Sequence, residues 1–183
     1  NLIEVGRAEL VGKYVGQTAP LVKEAFARAK GSILFIDEAY SLVEQWEGSY
    51  GDEAISAIVQ EMENHREDVV VIFAGYPDEM EKFLQKNPGL RSRIAFHVPF
   101  EDYDADELCK IAALIGKNKG ISLEDAALQK LGTIFETARK QSDFGNGRFV
   151  RNILEKAKMN QASRLLEYDF DTITTEQIKT IKA

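Results

Sequence analysis

The chain has 183 residues, 44% hydrophobic and 29% charged, with a formal net charge of −7. This is the composition of a globular protein long enough to bury about 70% of its unfolded surface, and the acidic balance argues against a sequence-independent nucleic-acid binder, which needs a basic footprint. One cysteine, Cys109, excludes an internal disulfide and fits a reducing cytoplasm, and no run reaches the roughly 18 apolar residues of a membrane span.

Taken in chain order, Leu2–Val5 predicts a strand, and residues 6–18 a glycine-containing loop. Pro20 suits the first turn of a helix that runs to about Ala29. Ile33–Ile36 is continuously apolar and predicts a parallel strand buried on both faces. A polar loop over 40–52, carrying Trp46, leads to a helix over Glu53–His65, with Ala54, Ile55, Ile58, Val59 and Met62 at helical spacing. Val69–Ala74 predicts a third strand, and Pro77 starts a short helix with Met80, Phe83 and Leu84 on one side. Asn87-Pro88-Gly89 is turn chemistry, ahead of a fourth strand at Ile94–Val98.

From about Tyr103 the strand pattern stops. Asp104 and Glu107 have capping-box spacing before a helix. Ser122 with Asp125 starts a second, Gly145-Asn146-Gly147 breaks it, a third carries Val150, Ile153, Leu154 and Leu165, and Thr174 with Gln177 caps a last one. The expectation is an α/β layer with a parallel sheet over residues 1–102, followed by a small all-helical domain over 103–183.

Asp37 and Glu38 stand at the C-terminal end of the second strand, the sheet edge at which open α/β folds bind ligands. Four apolar residues followed by two acids match the metal-and-water half of a phosphoryl-transfer site. Asp37 would hold Mg²⁺ through water and Glu38 would polarise the attacking water. The alternative is an acidic helix cap after a core strand. The other half of such a site is a loop of the form G-x-x-x-x-G-K-[ST], N-terminal to the strand. Residues 1–32 contain Gly6, Gly12 and Gly16, but no Gly-Lys-Ser or Gly-Lys-Thr occurs in the chain.

Arg91 and Arg93 precede the fourth strand. An arginine supplied to a neighbour's γ-phosphate is worth ~10³–10⁵ in rate; the alternative is a solvated loop paired with surface acids. Arg148 lies at a helix start, where the helix dipole disfavours a cation, and a nearby anion such as a phosphate explains it. Arg151, one turn on, shares that anion or pairs with Glu155. His65 and His97 have no partner at metal-ligand spacing, so no zinc site is expected.

In this order the motifs resemble those of an AAA+ ATPase. The resemblance is closest to the branch containing the red-type Rubisco activase CbbX and the stage V sporulation protein K. It is carried by Leu10 to Pro20, Leu34 to Tyr40, Ala74-Gly75-Tyr76, Asn87 to Ile94 and Phe144 to Asn152. It implies ATP and Mg²⁺ as cofactors, with Asp37 and Glu38 as the Walker B pair. Arg93 is then the arginine finger, with Arg91 the next choice, and Arg148 the sensor-2 residue of a helical lid. Tyr76 replaces the usual sensor-1 asparagine. Tyr14, in Tyr14-Val15-Gly16, matches an aromatic pore loop that grips a polypeptide substrate in a hexameric ring of identical subunits, and Trp46, in the acidic loop Glu44–Asp52, lies near that pore. No nucleic acid or membrane partner is implied.

A complete module of this kind has a strand, the phosphate loop and a helix ahead of residue 1, so the 183 residues read as a fragment. Its third and fourth strands, flanking the place of that strand, are expected to expose unpaired apolar edges. Two functions are compatible with these features. One is an ATP-driven remodeller of a protein substrate; the other is a non-enzymatic scaffold or arginine-donating subunit that binds no ATP itself.

Overall fold

The computed structural model describes residues 1–43, 50–141, 144–168 and 173–182. Trp46 and the acidic residues at 44 and 47 lie outside them. The chain forms two compact units, Asn1–Pro99 and Phe100–Ala183.

The first unit is built on a three-stranded parallel sheet of β1 (Leu2–Val5), β2 (Ser32–Ile36) and β3 (Val69–Phe73), with β2 in the middle. The register aligns Ile3, Leu34 and Val71 in one row and Val5, Ile36 and Phe73 in the next. These rows pack into the core against Val22, Ala25 and Phe26 of α2 (Thr18–Arg28) and Ile55 and Ile58 of α3 (Tyr50–Asn64). Gly31 turns the chain from α2 into β2 at φ +68°, a left-handed conformation that glycine adopts without steric cost, and its N–H donates to Asp68 O at 2.7 Å.

The alternate rows are open. Val70 is 60% and Ile72 39% exposed, and Ile33 and Phe35 are only half-buried. The second strand, Ile33–Ile36, was expected to be buried on both faces. Among the described residues the helices cover one face, which is why the continuous apolar runs end up half-exposed. The strand expected at Ile94–Val98 does not form: residues 94–98 have no regular structure, and Phe96 and Val98 are exposed. A strand exists through its ladder, and none of the described strands pairs with this segment.

Three further differences are local. The loop expected over 6–18 opens with a short helix, α1 (Arg7–Leu10), which sends Leu10 into the core. Glu9 Oε2 accepts Gly6 N–H at 2.9 Å to start it. The chain after Glu38 winds into a 3₁₀ turn, Ala39–Leu42. After α4 (Pro77–Lys86), the predicted turn at Asn87-Pro88-Gly89 is the start of a short helix, α5 (Pro88–Arg91), where proline at the first helical position suits its fixed φ.

The second unit packs α6 (Ala105–Asn118), α7 (Asp125–Ala138) and α8 (Asn146–Leu165) around Leu108, Ala112, Leu131, Phe135, Val150 and Leu154. Asp104 accepts Glu107 N–H at 2.8 Å while Glu107 accepts Asp104 N–H at 3.0 Å, the reciprocal cap that the spacing predicts. Thr174 and Gln177 do the same for α9 (Thr175–Lys179). The domain is not wholly helical. Ser122 does not start α7 but lies in β4 (Ser122–Leu123), which pairs in parallel with β5 (Thr180–Ile181). Gln161, buried in α8, fastens this small ladder by donating to Gln177 O and Thr180 O.

Candidate active site

β2 ends in a tightly held turn. Asp37 N–H donates to Val5 O at 3.2 Å and prolongs the β1–β2 ladder, and Ala39 N–H donates to Ala74 O at 3.0 Å beyond the end of β3. Between these two pinned residues Glu38 adopts φ 46°, ψ 49°, the left-handed region that a non-glycine residue occupies only when its surroundings impose it. Both carboxylates are exposed, and they face an open concavity of about 600 Å³ that is also lined by Gly6, Arg7, Glu9 and Ser41. Arg7 crosses this region. Its Nη1 donates to Ser41 O and, at 3.2 Å, to Leu42 O, the carbonyls that finish the 3₁₀ turn.

Tyr76 caps α4 with its backbone and is exposed, its ring centroid 6.5 Å from that of Tyr40. Gly75 makes room for this: a Cβ there would lie 2.8 Å from Tyr40 ring carbons and 2.9 Å from Met80 Sδ. On the connector from β1 to α2, Gln17 N–H donates to Tyr14 O at 3.2 Å and closes a turn with Gly16 at φ +81° in its third position, as a type II turn requires. Tyr14 and Val15 at the tip are 69% and 82% exposed. Tyr14 is therefore not a packed loop residue.

Arg93 Nη1 donates to Gly89 O at 2.9 Å, with Nε 3.7 Å from Glu63, and Arg91 lies 4.0 Å from Glu81. In the second unit Asn146 stands at φ 45°, donates to Asp102 Oδ1 at 2.6 Å and accepts Tyr103 N–H at 3.1 Å. This fixes the start of α8, where Arg148 and Arg151 are exposed and have no side-chain partner among the described residues. The pairing of Arg151 with Glu155 does not occur; Glu155 is held by Lys119, whose ammonium draws its carboxyl below the ordinary value.

Residues 1–102 match the family described as "ATPase family associated with various cellular activities (AAA)", and residues 104–183 match the "AAA lid domain". The chain belongs to the AAA ATPase family. Within it, the chain is similar to CbbX, CbxX and CfxQ proteins among its curated relatives. The chain is 45% identical to a CfxQ homolog of Pyropia yezoensis, over 100% of its length and 61% of the relative's. It is 43% identical to CbbX of Cereibacter sphaeroides, over 99% of its length and 59% of the relative's. The chain thus spans about three-fifths of the proteins it matches. Its fold is that of the FIGL-1 AAA domain in complex with ADP, at TM-score 0.64 and 19% identity, over 98% of this chain and 59% of that one.

As an AAA ATPase, the chain belongs among proteins that use nucleotide with Mg²⁺. The exposed Asp37–Glu38 pair suits that ion, a hard cation that keeps several waters and takes one or two carboxylates. No cluster of three or more His, Cys, Asp or Glu able to hold a metal occurs among the described residues. No helix among them is long and apolar enough to cross a membrane. The structure brings Asp37 and Glu38 together with Arg7 in the first unit, sets Arg91 and Arg93 about the end of α5, and sets Arg148 and Arg151 on the first turns of α8 in the second. Arg7 was not singled out from sequence. The signal available was Gly6 followed three residues later by Glu9, a helix-start spacing inside what reads as a loop.

Proposed function

We propose that the chain is the carboxylate, arginine and lid portion of an ATP-driven remodeller of a protein substrate, working as a ring of identical subunits. One observation carries this: a single connector leaves β1 beside the Asp37–Glu38 concavity and projects the exposed Tyr14–Val15 tip. An aromatic on a glycine-bearing turn offers a large contact that tolerates varied sequences, which suits a grip on a moving polypeptide. Asp37 and Glu38 orient metal-bound and attacking water. Arg93, with Arg91 as its neighbour, serves the adjacent subunit's phosphate, and leaving its surface ion pair with Glu63 costs little. Arg148 and Arg151, cations without a partner among the described residues, meet the nucleotide from the lid, and Tyr76 lines its approach. Bound Mg·ATP supplies the phosphoryl group and the charge that these residues address.

The test uses the full-length protein. Glu38→Gln should retain ATP binding and lose turnover, and Arg93→Ala should regain turnover in rings mixed with Glu38→Gln subunits, each supplying what the other lacks. Turnover that persists in Glu38→Gln, or mixed rings that stay inactive, overturns the assignment. A second reading, in which residues 1–183 act as scaffold or arginine donor without binding ATP, is favoured by the absence of a Gly-Lys-Ser or Gly-Lys-Thr loop within them. Tight binding of Mg·ATP by the 183-residue chain alone would remove it.

A further inference from the structure

Glu38 is held left-handed although it has a side chain, so something outside the residue must hold it there. At its own ends the turn is pinned through Asp37 N–H and Ala39 N–H. Inside the turn, Ser41 N–H donates to Glu38 O at 2.7 Å and Val43 N–H to Tyr40 O at 3.2 Å. These bonds close the 3₁₀ winding but leave its last carbonyls to be satisfied from elsewhere. Arg7 satisfies two of them: its half-buried guanidinium donates to Ser41 O and Leu42 O from another element, 34 and 35 residues away in sequence. A cation at the carbonyl end of a helical turn is also electrostatically favourable. Arg7 itself is placed by α1, which is started by Glu9 and anchored by buried Leu10.

We infer that Arg7 is a positioning residue for the carboxylate turn: by clamping the far end of Ala39–Leu42 it keeps Glu38 left-handed, with its carboxylate on the concavity. This rests on the assignment of Glu38 as the residue that polarises water. Arg7 does not itself touch the reacting atoms. Both bonds leave one nitrogen, Nη1, and a lysine ammonium also carries its donors on one nitrogen, so lysine replaces arginine as far as its shorter reach allows.

Two measurements test this. In the full-length protein, Arg7→Gln should speed amide exchange at Ser41 and Val43 by about tenfold, leaving the amides of α2 and β3 unchanged, with Arg7→Lys intermediate. In the full-length protein, Arg7→Gln should lower kcat by about tenfold while KM for ATP stays within about threefold, with partial rescue by Arg7→Lys. Unchanged exchange at Ser41 and Val43 overturns the clamp. Faster exchange throughout the first unit also overturns it, since Arg7 would then serve the fold as a whole. Wild-type kcat in Arg7→Gln, with Glu38→Gln inactive, overturns the positioning role and leaves the assignment of Glu38 standing. Turnover in Glu38→Gln removes that assignment and the inference with it.

Discussion

Thr18 is fully buried at the start of α2, and its hydroxyl accepts Gly12 N–H at 3.1 Å, closing the base of the Tyr14 loop. The contact leaves no slack, since a Cβ on Gly12 would lie 2.5 Å from Gln17 Cβ. Thr18→Val keeps the shape and removes the acceptor. It should destabilise the first unit by about 1 kcal/mol, the net worth of a part-buried hydrogen bond, as measured by urea denaturation. At this scale the sequence is legible where a residue acts through its own type. Gly16 reads as a turn residue because a positive φ selects glycine, whereas the exposure of Tyr14 is legible only through the family resemblance. Arg7 does not read, because its partners are main-chain carbonyls, and every residue carries one.

Caps are legible for the same reason: their partners lie three residues away. Asp104→Ala removes both the acceptor for Glu107 N–H and the reciprocal arrangement, and should cost the second unit about 1 kcal/mol, seen as a lower thermal midpoint by circular dichroism. Elements that depend on distant partners misread. Ser122 has the spacing of a helix start but is claimed by the ladder with Thr180, 58 residues on (180 − 122). Glu155 has Arg151 four residues before it but pairs with Lys119. That surface pair lowers the Glu155 pKa, so its small contribution is present above the unfolded value and is lost as pH falls through the lowered one.

For the whole molecule, the parallel α/β layer followed by a lid was legible because the apolar runs and motifs keep their order along the chain. The cover of the sheet was not. Continuous apolar strands predict two covered faces, and a sequence does not show that the described helices all pack on one. The open rows that carry Val70 and Ile72 make the isolated 183-residue chain prone to associate through its sheet. Sedimentation should show its average mass rising with concentration, and Val70→Lys should suppress the rise without changing the circular dichroism spectrum. A concentration-independent monomer would show that this face is harmless.

The left-handed Glu38 also sets stability against activity at a single position. For a residue with a Cβ this conformation costs about 1–2 kcal/mol, and asparagine bears it better than glutamate. Glu38→Asn should therefore raise the unfolding midpoint of the first unit while abolishing turnover. On the role proposed for Glu38, asparagine gains stability by giving up the carboxylate and aspartate by shortening its reach, so a screen that rewards thermal stability alone would select against turnover.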